Sequence, residues 1–544
     1  MRDEFTEAER AGLAPYFTNL DGPVFALVNL PEVVKGALFA RYSRSPKSLR
    51  RLFLDEFLTD GPLDEAVARP SVREAGAARA EQLYERVFVE YGDDSVAQLG
   101  GVHLACEGAS NILTKVLEWG RLMAYLEQST RYIPYDDRPG GRFRYHVPVE
   151  LEGPRRDRYV SAQDAAFTTY AAWLPRLRDF YAARFPRGSG ESEGVYRMTI
   201  RAKALDTLRG LLPAATISNV GIFGTGQGYE QLLLRMRAHP LTEVRDYAGL
   251  MLAELRKVIP AFLRRVDVPE RGGAWSTYLA ETRAAVATST ERLLGDVKPE
   301  SREDVTLTDF DPEGEVKVVA AALYAASALP DDQLLAMARR MGTAERSQVL
   351  DAYVGARGNR RHKPGRAYER TSYRFDILGD YGAFRDLQRH RLLTLEWQRL
   401  SPAHGYVMPE AVAEAGGQAD WERVMDESAA TWEAIAGAGI PEVASYAVSM
   451  AYRVRFTMQM NAREAMHVIE LRTAPQGHPS YRRICQAMHR LIAEQAGHRA
   501  IAAAMRFADH SEVALERLEA ERAAEQRRIR SVDWGASNGP PMPP

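Results

Sequence analysis

Two stretches of this chain run in parallel. "YEQLLLRMRAHPLTEVRDYAGLM", from Tyr229, and "AMHVIELRTAPQGHPSYRRICQAM", from Ala465, share an order of apolar and basic positions. In that pairing Arg235 falls on Arg472 and Arg245 on Arg482, ten residues later in both. "ALFARYSRSP" from Ala37 and "ALYAASALP" from Ala322 form another pair in the same order. One such match is chance, but several in one order are expected of a tandem duplication, so whatever the first half builds the second half builds again. A length of 544 residues agrees, being too long for one ordinary core. The break is expected in "GDVKPESREDVTLTDFDPEGE", from Gly295 to Glu315, which is rich in acids, Pro and Gly. The resulting division is 1–298 and 312–520, with a charged, largely disordered tail over 521–544.

Helical periodicity dominates within the halves. "ASNILTKVLEWGRLMAYL" sets Ile112, Leu113, Val116, Leu117, Met123 and Ala124 on one apolar face and predicts a single helix. "ELRKVIPAFLRRV", "PDDQLLAMARRM" and "YRRICQAMHRLIAEQAGHRAIAAAMRF" predict helices on the same grounds, and "LERLEAERAAEQRRIR" a solvated one. Strands are expected at "LGGVHLAC" from Leu99 and "SYRFDIL" from Ser372, each just ahead of a helical run.

Composition excludes several functional classes. The apolar share of 45%, the charged share of 26% and the formal net charge of -2 describe a soluble globular chain, not a general nucleic-acid binder. Cys106 and Cys485 lie far apart with no Cys/His ligand spacing around them, so neither a disulfide framework nor a metal site is expected, and a cytoplasmic location follows. The polar "MRDEFTEAER" is unlike a signal peptide, and no run reaches the ~18 apolar residues of a membrane span.

Three segments carry concentrated chemistry. "EQSTRY" places Glu127, Ser129, Arg131 and Tyr132 together. An Arg fork binds phosphate in a bidentate manner, and a carboxylate and hydroxyl can read a ribose or a base edge. The bland alternative is a helix-surface ion pair between Glu127 and Arg131 at i and i+4. "LQRHRLLTLEW" holds Arg389, His390 and Arg391 inside an amphipathic run, where cationic donors suit a pyrophosphate. "MQMNAREAMHVIELR" holds Asn461, Arg463, His467 and Arg472. There the alternative is a structural network in which Arg463, His467 and Glu470 share a helix face.

Taken in this order, the three segments resemble the flavin-dependent thymidylate synthases, whose signature R-H-R-x-x-S-x-N-E-x-S-x-R-Y is followed downstream by N-A-R and then L-R. The first half keeps Arg121, Glu127, Ser129, Arg131 and Tyr132, but has Trp119 and Gly120 for the first two residues of R-H-R and Gly224, Thr225 and Gly226 for N-A-R. It also supplies Arg209, in "LRGLLP", and Arg235 as the L-R arginine. The second half keeps R-H-R, N-A-R and Arg472. It carries His467 where the family usually has a flavin-contacting Asn, and Trp397, Arg399 and Ser401 in place of the Glu, Ser and Arg.

The resemblance implies an α+β, helix-rich tandem of two such units, each with a small antiparallel sheet. It implies FAD held by Arg389, His390, Arg391, Asn461, Arg463 and His467. It implies a nucleotide held by Glu127, Ser129, Arg131, Tyr132, Arg209 and Arg472, with Arg235 stabilising charge on the pyrimidine ring. The implied reaction is reductive methylation of deoxyuridine monophosphate, with NADPH and methylenetetrahydrofolate as co-substrates. The implied assembly is a homodimer forming a pseudo-tetramer. Two alternatives stay open: a diverged flavin enzyme acting on another nucleotide, and a non-catalytic binding paralogue.

Other motifs add little. "GTGQGYEQ" lacks dinucleotide-loop spacing and reads as a helix-entry turn, and "GARGNRRHKPGRAYERTSYR" as a local phosphate pocket or a solvated loop. No Walker A or H-E-x-x-H pattern occurs.

Overall fold

In "RVRFTMQMN" polar and apolar residues alternate without a break, which is the pattern of a strand with one buried face. In the computed structural model of the chain this segment is a strand whose alternate residues are buried. The structure describes residues 5–30, 38, 42, 45–55, 101–189, 191–515, 517–519, 521–523 and 525–526. Of the predicted disordered tail, 521–523 and 525–526 are helical, while its remaining residues and most of "ALFARYSRSP" lie outside the described residues.

Among the described residues eight strands form two four-stranded antiparallel sheets with the same strand order. In the first, β1 (Val24–Leu27), β2 (Gly101–Ser110), β3 (Met123–Glu127) and β4 (Ile217–Thr225) lie in the order β1-β2-β4-β3. In the second, β5 (Val305–Phe310), β6 (Ser372–Asp380), β7 (Thr394–Trp397) and β8 (Arg453–Asn461) lie in the order β5-β6-β8-β7. The fold is therefore the expected helix-rich tandem with a small antiparallel sheet in each unit. Both predicted strands are present as β2 and β6. The expected linker contributes β5, an edge strand paired with β6.

The repeat extends to the strand–helix junctions. Ser110 ends β2 and caps helix α1 (Asn111–Leu117), accepting from Leu113 N at 3.0 Å. Thr225 ends β4 and caps α2 (Gly226–Arg237), which is followed by α3 (Thr242–Leu255). In the second unit Asp380 caps α4 (Tyr381–Leu387) and Asn461 caps α5 (Ala462–Arg472), which is followed by α6 (Pro479–Glu494). A short side-chain oxygen at each junction satisfies an N–H that the first helical turn leaves unbonded.

The described residues belong to two compact units: Met1–Thr169, Leu212–Pro299 and Val424–Ser449 in one, and Tyr170–Leu211, Glu300–Arg423 and Met450–Pro544 in the other. In the first, Phe17, Phe25, Leu27, Leu49 and Phe53 build a core on the face of β1. In the second, Tyr373, Phe375 and Ile377 of β6 and Val454, Phe456 and Met458 of β8 are fully buried or nearly so.

Three helix expectations are corrected. "ASNILTKVLEWGRLMAYL" is helical only to Leu117, and its apolar end pairs as β3 with β4. Gly120 marks the break, where an added Cβ would come 2.5 Å from the Tyr125 hydroxyl. "ELRKVIPAFLRRV" is α-helical only through Leu255, ahead of Pro260, which can neither donate a backbone hydrogen bond nor accommodate a preceding helical turn, and beyond it has only a short 3-10 turn at Ala261–Leu263. "YRRICQAMHRLIAEQAGHRAIAAAMRF" is two helices, α6 and Arg499–Ala504, separated by Gly497 at φ 70°. Cys106 and Cys485 are free and buried, and among the described residues no helix is long and apolar enough to cross a membrane.

Candidate functional site

The second unit gathers four of the singled-out residues around one carboxylate. Asn461 spends its Oδ1 on the cap of α5, accepting from Glu464 N at 2.9 Å, which starts the helix and orders its first turns. On that helix Glu464, His467 and Arg472 then follow at helical spacing. His390, in the turn between α4 and β7, accepts a hydrogen bond from Arg472 Nε at Nε2, 2.9 Å away. Accepting there assigns the ring proton to Nδ1, which lies 3.6 Å from Oε1 of Glu464. The rings of His390 and His467 are 5.5 Å apart between centroids.

Electrostatics define what this cluster can hold. Burial pushes Glu464 up to about 7, opposed by Lys363, Arg463 and Arg391. Burial pushes His467 down to about 4, aided by Lys363, Arg360, Arg472 and Arg463. Burial also lowers His390, with Arg472, His467, Lys363 and Arg391 adding to it. Both imidazoles are therefore neutral at pH 7, and the charges that lower them are cationic. His390, Glu464 and His467 also have one ligand atom each within 4.8 Å of one another, a spacing that could suit a metal ion. The charge does not suit one: arginines and a lysine bear on the group, and the His390 Nε2 lone pair already accepts from Arg472. An anion fits this set better than a cation.

The remaining second-unit candidates point different ways. Arg389 turns back toward Asp386, 3.7 Å away, and Arg391 is exposed. The "RHR" triplet is therefore a turn beyond α4, not part of a helix. Arg463 donates through Nε to Pro364 O at 2.9 Å and lies 3.5 Å from Glu369. Glu470 does not complete a face with Arg463 and His467; it pairs with buried Arg357, at 2.6 and 2.7 Å. The basic segment thus supplies both a structural ion pair through Arg357 and cations near His467.

In the first unit "EQSTRY" is the end of a strand and a turn, not a helix. Glu127 closes β3 opposite Val220, the position that Trp397 holds opposite Phe456 in β7. Glu127 is buried 3.3 Å from Lys115 Nζ, which also binds Glu118 at 2.5 Å. The helix-surface pairing of Glu127 with Arg131 is thereby overturned, because the two residues do not share a helix. Ser129 opens the turn: its Oγ accepts from Arg131 N at 3.3 Å and its carbonyl from Tyr132 N at 3.2 Å. Gln128 anchors the turn through Asn219 O and Ser45 O. Arg131 and Tyr132 are half-buried. A cleft of about 980 Å³ bounded by Lys47, Arg51, Gln128, Arg142 and Asn219 borders this turn.

Arg235 lies on α2 with its guanidinium 4.8 Å from the Trp119 ring centre, and burial lowers its pKa. It therefore stacks on the residue that replaces the first arginine of R-H-R, as Arg472 bonds the histidine of that triplet. With Thr225 and Asn461 at equivalent caps, Arg235 stands one residue short of the position of Arg472. Arg209 belongs to the second unit, not with Glu127, Ser129 and Arg131. It is buried against Asp386.

Glu464, Lys363, Asp386, Lys115 and Trp119 were missed as participants. Glu464 had a signal, standing three residues before His467 on a helix that the motif itself begins. Asp386 had one in its i, i+3 spacing to Arg389. The partners of Lys115 are Glu118, just past the end of α1, and Glu127, at the end of a strand that the helical periodicity concealed.

A family model described as "Thymidylate synthase complementing protein" matches residues 52–261 and again 306–498. A UPF0159 protein of Chlamydia muridarum (strain MoPn / Nigg) is 37% identical over 521 residues, covering 95% of this chain and 98% of its own length. A UPF0159 protein of Thermoplasma acidophilum is 29% identical over 518 residues, covering 90% and 97%. A flavin-dependent thymidylate synthase of Mycobacterium sp. (strain JLS) is 30% identical over 189 residues, covering 34% of this chain and 70% of its own. Matched once by each half, and carrying the same sheet twice, this chain belongs to the flavin-dependent thymidylate synthase family as a tandem, partly degenerate two-unit member.

Proposed function

We propose that the protein is an FAD-dependent enzyme of the thymidylate synthase type, converting deoxyuridine monophosphate to thymidine monophosphate with methylenetetrahydrofolate and NADPH. The observation that carries this reading is the second-unit cluster of neutral His390 and His467 among Arg463, Arg472 and Lys363. Such a set offers ring N–H groups and fixed positive charge to an anionic cofactor, without a permanently ionised carboxylate in its centre. FAD, when bound, supplies the electron-transfer chemistry. His390, Arg463 and His467 would hold it there with Arg389, Arg391 and Asn461, and Arg472 would set the orientation of the His390 ring.

In the first unit Ser129, Arg131 and Tyr132 would bind the nucleotide, the half-buried guanidinium of Arg131 taking its phosphate. Glu127 would act at the edge of that site from within its contact to Lys115. Arg235, desolvated over Trp119, would stabilise negative charge developing on the pyrimidine. Two chains would associate as a homodimer and so bring four units together. Because Glu127 is already engaged by a lysine, a diverged enzyme for another nucleotide is the second reading. Growth rescue of a thymidine-requiring strain tests the first. Purified protein with a flavin absorbance band but no rescue would favour the second, and protein with neither would leave a binding paralogue.

A further inference from the structure

Arg209 is held on several sides. Its Nη1 donates to Asp386 Oδ2 at 3.0 Å, and Asp380 Oδ1 lies 4.0 Å from its Nη2. The guanidinium also lies close against Gly382, where an added Cβ would come 2.9 Å from Nε and 3.1 Å from Cζ. Arg209, Asp386 and Asp380 are all buried, at 4%, 7% and 9% exposure. Asp386 does not serve Arg209 alone: its Oδ1 is 3.7 Å from Arg389 Nη1. One carboxylate thus stands between two arginines of separate motifs. Arg209 further lines a cleft of about 540 Å³ with Lys203, Trp421, His478 and Arg483, and its Nη2 has no hydrogen-bond acceptor among the described residues.

We infer that Asp386 is a resident carboxylate standing in for a ligand phosphate on Arg209, so that the second unit is closed to phosphate monoesters. This deepens the functional reading above and rests on its assignment of nucleotide chemistry to the family motifs. Bidentate recognition of phosphate needs both prongs of the fork, and one prong is already bonded. A dianion approaching the other would face Asp386 and Asp380 in buried surroundings, where salt screens poorly. The second unit then keeps the cationic cluster around His390 and leaves the nucleotide to the first.

The test is calorimetric titration of full-length protein with inorganic phosphate and, separately, with deoxyuridine monophosphate, beside a thermal melt of each variant. Arg209→Lys is the conservative probe: it should leave both affinities of the wild type unchanged, whereas loss of a bidentate phosphate contact would weaken binding about tenfold. Asp386→Asn should gain a phosphate site at least about tenfold tighter than anything in the wild type, and adding Arg209→Gln should abolish it. Asp386→Ser serves the same purpose if the Asn variant does not fold. A tenfold loss in Arg209→Lys, or folded Asp386 variants that gain no phosphate, overturns the inference; if neither Asp386 variant folds, Arg209→Lys decides it. If Asp386→Asn takes inorganic phosphate but no form takes deoxyuridine monophosphate, the inference stands and the nucleotide reading of the chain falls.

Discussion

Arg472 donates its Nε–H to His390 Nε2 across 2.9 Å, while Glu464 waits 3.6 Å from the opposite ring nitrogen. The imidazole is thereby fixed in one tautomer between a permanent cation and a carboxyl that burial keeps partly protonated near neutral pH. His390→Ala removes the acceptor and strands a half-buried donor, a loss of about 1–3 kcal/mol in stability. The variant should also purify without flavin, as should Arg463→Ala, whereas Trp119→Ala should retain it. Absorbance spectra of the purified variants decide this, and full flavin occupancy in both His390→Ala and Arg463→Ala would refute the assignment.

The two shifted groups on α5 pull stability in opposite directions with pH. Glu464 titrates near 7 in the folded chain against 4.5 for an ordinary glutamate, so the folded state binds more protons and stability falls as pH rises through that interval. His467 titrates near 4 against 6.5, so the unfolded state binds more protons and stability rises between those values. Glu464→Gln removes only the first effect. Its stability relative to wild type should therefore climb from pH 5 to 7.5, by up to about 3 kcal/mol for a shift of this size. Denaturant melts of flavin-free protein across that range measure it, and a constant difference would contradict the burial of Glu464.

Lys115 supplies the positive charge between two buried carboxylates, so Lys115→Met should destabilise the first unit by roughly 3–5 kcal/mol. Glu127→Gln should cost stability as well, because it weakens the same cluster. A chemical denaturation series checks both, and wild-type midpoints would mean that the cluster is exposed to water in solution.

Arg131 is half-buried in the turn that Ser129 opens. If it binds the nucleotide phosphate, Arg131→Ala forfeits charge-assisted bonds worth about 1.5–3 kcal/mol, a ten- to hundredfold loss of affinity. Arg131→Lys should recover part of that. Titration with deoxyuridine monophosphate reads the effect, and unchanged affinity in Arg131→Ala would return the turn to ordinary loop chemistry.

Light scattering should give a mass twice that of the chain at micromolar concentration. A persistent monomer that still binds flavin and nucleotide would exclude the shared-assembly proposal.

The tandem was legible because order along a chain survives divergence: R-H-R, N-A-R and the paired arginines keep their sequence in the second half, and the structure repeats the same strand order. The start of α2 reads in the sequence as a helix-entry turn, where Thr225 caps; Ser110, Asp380 and Asn461 are not among the expected caps, although they too are small polar residues that start helices. Nor is β8 among the expected strands, although "RVRFTMQMN" alternates strictly between polar and apolar residues. What local pattern could not decide was pairing at a distance. "LMAYLE" carries apolar residues that suit either a helix face or a strand, and only hydrogen bonding to Val220–Gly224 made it β3 and buried Glu127 beside Lys115. Similarly, no spacing links Arg209 to Asp386, which are far apart in sequence and touch only after folding. Motif residues reveal which chemistry a chain retains; their neighbours in space, which set charge and access, are chosen by the tertiary fold.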